Sequence, residues 1–108
     1  MRIQKGEIPL DTVIGRFAWS RAGRDKGNLF IIIDVVDDNH VLIADGMIRK
    51  LNNPKKKKIK HLNITNKVDE QISRTVLMKR KLLDSDLQQA VLRYKNELTD
   101  KQDERGGI

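Results

Sequence analysis

The side chains with most chemical potential in this sequence are cations. The segment RKLNNPKKKKIKHLNITNK, residues 49 to 67, carries eight basic side chains and no acidic one. Residues 1 to 48 hold six basic and seven acidic side chains, and residues 68 to 108 hold eight of each, so the whole net charge of +7 falls in that short segment. Arg49, Lys50, Lys55, Lys56, Lys57, Lys58 and Lys60 are close enough in the chain to reach one phosphate backbone, where displaced counterions supply affinity. A second group, Arg21, Arg24 and Lys26, stands in the stretch RAGRDKGN. The planar arginine fork there allows bidentate phosphate contacts that lysine cannot make. His61 lies among the lysines and is a candidate hydrogen-bond partner for a phosphate or base.

Other chemistries lack their constellations. The sequence has no cysteine, which removes disulfides and thiolate metal sites and fits a reducing compartment. The two histidines, His40 and His61, have neither the spacing nor the companions of a metal centre. Asp37 and Asp38 are an adjacent acidic pair, but DDNH reads as turn chemistry. No GxxxxGK[ST] or GxGxxG is present, and no nucleophile with a positioned base is recognisable. The expectation is no catalytic residue, cofactor, metal or small-molecule substrate. The longest apolar run, Leu29 to Ile33, is far below the roughly 20 residues of a spanning helix. MRIQKGEIPLD has no apolar stretch resembling a secretory signal core. A cytoplasmic protein with no membrane partner is expected.

The elements that must position the cations follow from periodicity. Val13, Gly15, Phe17 and Trp19 alternate with Ile14, Arg16, Ala18 and Ser20, which predicts a first strand. Gly23 and Gly27 bracket a charged loop in which Asp25 and the glycines hold the shape. LFIIIDVV is apolar on both faces and should form the best-buried strand. DDNH then turns the chain into VLIAD, and Asp45-Gly46 marks the next tight turn. MIRKL is short enough for a fourth strand, Asn52 to Pro54 interrupts pairing, and a fifth strand is expected through Ile59 to Ile64. Phe17 and Trp19 share a strand face and are expected to pack inside the barrel, although exposed aromatics on a sheet can also stack bases.

The period changes after Asn66. Val68, Ile72 and Val76 recur at helical spacing, with Asn66 or Asp69 as the cap. A second helix is expected from Ser85, paired with Gln88 as a capping box, with Leu87, Val91, Tyr94 and Leu98 on one face. TDKQDERGGI should be a loosely ordered tail.

The stretch VIGRFAWSRAGRDKGNLFIIIDVVDDNHVLIAD, with the glycine that ends GRDKG, resembles a KOW motif, the strand, loop and strand unit of several ribosomal and transcription proteins. ADGMIRKLNNPKKKKIKHL extends the likeness to the KOW-containing large-subunit ribosomal proteins of archaea and eukaryotes, of which this chain looks like a bacterial relative. The likeness runs from Val13 to about Leu62. It implies an SH3-like barrel whose KOW loop and basic strands contact RNA, and it does not extend to the helical part.

The expected architecture is mainly β: a small SH3-like antiparallel barrel over residues 10–66, a C-terminal helical extension over 67–98 and a flexible tail over 99–108. The expected function is binding of RNA, in particular ribosomal RNA, by a ribosomal or ribosome-associated protein that also meets ribosomal proteins. The competing reading is an adaptor of the transcription or translation apparatus that docks proteins through its barrel and C-terminal helices. An enzyme is the residual possibility.

Overall fold

A computed structural model describes residues 13 to 106, with side-chain surroundings through residue 99. The first expected barrel residues, 10 to 12, and the amino-terminal MRIQKGEIPLD lie outside the described residues. Five strands form one antiparallel sheet: β1 (Arg16–Ser20), β2 (Leu29–Asp37), β3 (His40–Ala44), β4 (Lys55–Lys58) and β5 (Leu62–Val68). Their spatial order is β4-β3-β2-β1-β5. Two helices follow, α1 (Glu70–Leu77) and α2 (Asp84–Gly106).

The double-sided apolarity of Leu29 to Ile32 has a direct structural counterpart. Phe30 and Ile32 face one core with Val13, Ile14, Ala18, Val41, Ile43 and Leu62. Leu29 and Ile31 face the other with Phe17, Ala44, Ile72, Leu87, Ala90 and Val91. Alternation of side chains along a strand places successive residues on opposite faces. Only a strand covered on both sides can bury every position of such a run, and here the helices supply the second cover. Phe17 and Trp19 therefore pack under the helical layer and not in the core on the opposite face of the sheet. The Phe17 ring lies 4.5 Å, centroid to centroid, from that of Tyr94.

Three expected elements are corrected. MIRKL is a turn: the Asp45 carboxylate accepts the backbone N–H groups of Met47 and Arg49, both at 2.9 Å. Asp45 and Gly46 in turn donate to the Arg49 carbonyl. These bonds use the groups a strand would need for pairing. The fourth strand is Lys55–Lys58, which pairs with β3 from Ile43↔Lys55 to His40↔Lys58. A 3-10 turn, Ile59–His61, then precedes β5. The sheet is also not closed, because β4 and β5 are its two edges and no ladder joins them among the described residues.

α1 begins at Asp69, whose carboxylate accepts from Ile72 N at 3.0 Å. This is one of the two caps expected from the sequence. α2 starts at Asp84, and the expected Ser85–Gln88 box does not form. The Gln88 amide instead donates to the Gly46 carbonyl at 2.7 Å, and Asp86 accepts from Leu83 N at 2.9 Å. The face of Leu87, Val91 and Tyr94 is packed against the sheet, so it is no free docking face. The helix continues to Gly106, through most of the stretch expected as a polar tail. No helix among the described residues is long and apolar enough to cross a membrane.

Candidate nucleic-acid interface

The loop between β1 and β2 is built by its own backbone. Ser20 N donates to Asn28 O, Gly27 N to Ser20 O, Asn28 N to Asp25 O and Lys26 N to Gly23 O. Gly23 and Gly27 have φ of 79° and 90°, the left-handed region in which a side chain would be strained. Asp25 is only 3% exposed and takes both Nε and Nη2 of Arg49 on one carboxylate oxygen, at 3.3 and 3.0 Å. With Asp25 turned inward, Arg21, Arg24 and Lys26 are all exposed.

The lysine run divides by strand geometry. Lys57 stands opposite Val41, a core residue, and is itself only 8% exposed. Its ammonium donates to the Ala22 carbonyl at 2.8 Å and so ties the edge strand to the β1–β2 loop. Lys55, Lys56 and Lys58 are exposed, as are Lys50 and Lys60. None of these five has a carboxylate partner among the described residues. Two residues expected as phosphate contacts, Arg49 and Lys57, thus hold the loop in place. The acid-free local sequence also hides neutralisation from afar: Asp25 pairs with Arg49, and Glu97 of α2 pairs with Lys67 at 3.3 Å.

Loop and lysine strand converge at His61. Arg21 N donates to the His61 carbonyl at 2.9 Å. His40, His61 and Lys55 to Lys58 line one shallow depression. The His61 pKa is lowered from 6.5, first by desolvation and then by repulsion from Lys60, Lys58, Lys57 and Arg21. Its imidazole is consequently neutral at pH 7, able to donate from one nitrogen and accept at the other. His40 bonds Asp37 at 2.9 Å, which together with the Asn39 N–H holds the Asp37 carboxyl below its ordinary value. No cluster of three or more metal-ligating side chains occurs among the described residues.

What remains is a surface of fixed charges: Arg21, Arg24 and Lys26 on a braced loop, Lys50 on the next turn, and Lys55, Lys56, Lys58 and Lys60 along the sheet edge. It offers many donors, none of them paired with a carboxylate among the described residues, and the nearby Asp37 carboxylate is taken up by His40, which suits an extended polyanion. Sequence reading missed the two braces. Lys57 had no distinguishing mark inside four identical residues, and the Asp25–Arg49 pair joins positions 24 residues apart in the chain.

No protein-family model matches the chain. Over 64 residues it is 31% identical to "Putative ribosome-binding protein YbzG" of Bacillus subtilis (strain 168), an overlap of 59% of this chain and 86% of that protein. Over 56 residues it is 43% identical to large ribosomal subunit protein eL14 of Desulfurococcus amylolyticus, covering 50% of this chain and 56% of the archaeal protein. The second match therefore spans little more than half the length of that relative. With nearly the full length of the Bacillus protein aligned, the chain belongs to the YbzG family.

Proposed function

We propose that this protein is a non-catalytic, cytoplasmic RNA-binding protein of the ribosome, which holds ribosomal RNA through Arg21, Arg24, Lys26, Lys50, Lys55, Lys56, Lys58 and Lys60. His61 contributes a neutral hydrogen bond at the centre of that set. The observation that carries the reading is the group of exposed cations, none paired with a carboxylate among the described residues, where the braced loop meets the lysine strand. The names of the two relatives, one for ribosome binding and one for the large ribosomal subunit, direct it to ribosomal RNA. The β1–β2 loop acts as the KOW loop of an SH3-like unit over residues 10–66, with a helical extension from residue 67. The sheet order, with its two edge strands joined through a 3-10 turn, supports that assignment. Phosphate contacts supply affinity, and the fixed spacing of loop and strand selects RNA shape.

The test is cosedimentation of the full chain with ribosomes at low and high salt, together with crosslinking and sequencing of the bound RNA. Wild type should cosediment at low salt, dissociate at high salt and crosslink to one ribosomal RNA region. A variant with Lys55, Lys56 and Lys58 changed to Glu should do neither while keeping its circular dichroism. Equal cosedimentation of both proteins would refute the assignment.

A further inference from the structure

Met78 to Leu83 form the connection between α1 and α2, and Lys79, Arg80 and Lys81 are consecutive and exposed. None of the three pairs with a carboxylate among the described residues. The two acids that follow are engaged elsewhere, since Asp84 accepts from Leu51 N at 2.8 Å and Asp86 from Leu83 N. The carbonyl end of α1 favours a nearby cation. Arg74 already stands in the last turn of α1, so that preference does not account for three further cations in a row.

The connection is also held in one shape. Lys79 N donates to Val76 O and Arg80 N to Thr75 O, while Leu82 packs into the core under the helices. Lys79 sits at φ 57°, the one non-glycine residue with positive φ among those described. For a residue with a Cβ that conformation costs roughly 1–2 kcal/mol. The same two bonds, from C′ to C2 and from C″ to C3, close α1 as a Schellman motif, in which a left-handed residue at C′ is the usual helix ending.

Its position links it to the cationic surface. The Asp84 carboxylate holds Leu51 N, next to Lys50, and Gln88 holds Gly46 O. Lys81 is three residues before Asp84, a chain reach of at most about 11 Å. The turn at residues 45–51 is in turn tied to the β1–β2 loop by Arg49 and Asp25. The connection that carries Lys79 to Lys81 therefore leads directly into Asp84, which holds the turn bearing Lys50.

We propose that Lys79, Arg80 and Lys81 form a second phosphate-binding site, which engages an RNA segment separate from the one along β4. This inference rests on the RNA-binding reading above. It makes the protein a bridge between two RNA segments, one held at the sheet edge and one at the helical turn. The exposed Leu77, Met78 and Leu83 flank the site, and a protein partner docking there would use them in preference to the cations.

The test measures affinity of the full chain for deproteinised ribosomal RNA as a function of salt. Four proteins are compared: wild type, a strand variant (Lys55, Lys56 and Lys58 to Gln), a turn variant (Lys79, Arg80 and Lys81 to Gln) and their combination. Each lost phosphate contact lowers the log–log salt slope by about 0.7–0.9, so each triple variant should lower it by roughly 2 to 3, with nearly additive effects. Urea unfolding confirms folding, and single Arg80→Gln and Lys81→Gln variants, each lowering the slope by about 1, replace any triple variant that is unfolded. If the strand variant lowers the slope and the turn variant does not, the second site is refuted and the RNA reading stands. If neither does, the RNA reading itself fails. Loss of ribosome binding in a Met78→Ser, Leu83→Ser variant with an unchanged slope for the turn variant would assign the turn to a protein and overturn the proposal.

Discussion

Lys56 and Lys57 are neighbours of the same type, but Lys57 is buried against the β1–β2 loop and Lys56 is exposed. Changing Lys57 to Ala removes a charge-assisted hydrogen bond to the Ala22 carbonyl from a side chain that is 8% exposed. Hydrogen bonds to charged groups contribute about 1.5–3 kcal/mol, so the loss should be about 2 kcal/mol of stability. In a domain of this size that is a fall of roughly 8–16 °C in Tm. Changing Lys56 to Ala should stay within about 0.5 kcal/mol, as expected of an exposed side chain with no structural partner. The order reverses for RNA. Lys56→Ala should lower the salt slope of binding by about 0.7–0.9, whereas Lys57→Ala, measured where it is fully folded, should leave the slope unchanged and weaken binding only through a looser loop. Urea unfolding followed by the fluorescence of Trp19, the single tryptophan, gives the first quantity, and salt-dependent titration with ribosomal RNA gives the second. A Lys57→Ala protein as stable as wild type, with a slope lowered by about 1, would refute the division of the run by strand face.

Asp25→Asn should cost about 2–3 kcal/mol, because it leaves the Arg49 guanidinium against a nearly buried site without its counter-charge, and urea unfolding reads it directly. Gly46→Ala should cost roughly 2–4 kcal/mol, since Gly46 has φ 79° and an added Cβ would collide with the Asp84 carbonyl; a loss under about 0.5 kcal/mol would show that α2 is not seated there. Lys79→Gly should raise stability by about 0.5–1 kcal/mol by relieving the left-handed backbone. His61 has a folded-state pKa below its unfolded value, so the unfolded chain binds the proton first. Its contribution is absent well above pH 6.5 and turns destabilising as pH falls through that value. RNA phosphates should raise the same pKa, so RNA affinity should grow over the range in which stability declines. Urea and RNA titrations of wild type and His61→Gln between pH 5 and 8 check both, with the variant expected to lose both trends.

The double-sided β2 and β3 lie where apolar pattern and turn residues place them, whereas β1 begins only at Arg16 and not at Val13, because Val13 and Ile14 enter the same core from the segment before the strand. The α1 cap at Asp69 was legible in the sequence because capping is local. The errors share a cause in long-range partners. MIRKL has strand-like composition, but Asp45 closes it into a turn whose shape also depends on contact with the start of α2. Ser85 and Gln88 have capping-box spacing, but Gln88 bonds to Gly46 across 42 residues of chain. A homopolymeric run such as Lys55 to Lys58 carries no periodicity at all. Only the register with β3 separates its inward member from its outward ones.

The positive surface is also a consequence of where the carboxylates are used. Asp25 braces Arg49, Asp45 closes a turn, Asp69 caps α1, Asp84 holds Leu51 N, Asp86 holds Leu83 N, and Asp37 anchors His40. Each serves backbone or framework geometry close to its own position, and several occupy the first turn of a helix, where the dipole favours negative charge. Lys55, Lys56, Lys58 and Lys60, in contrast, are exposed and have no carboxylate partner among the described residues. Neutralising a framework aspartate should therefore cost stability, and neutralising Lys55, Lys56, Lys58 or Lys60 should relieve self-repulsion and leave stability equal or higher. Under the proposed function, the counter-charge for that surface comes from RNA phosphates. Stabilisation of the Lys-to-Gln strand variant in urea, with ribosomal RNA protecting wild type and not the variant, is the pattern this argument requires; a strand variant that is markedly less stable than wild type would contradict it.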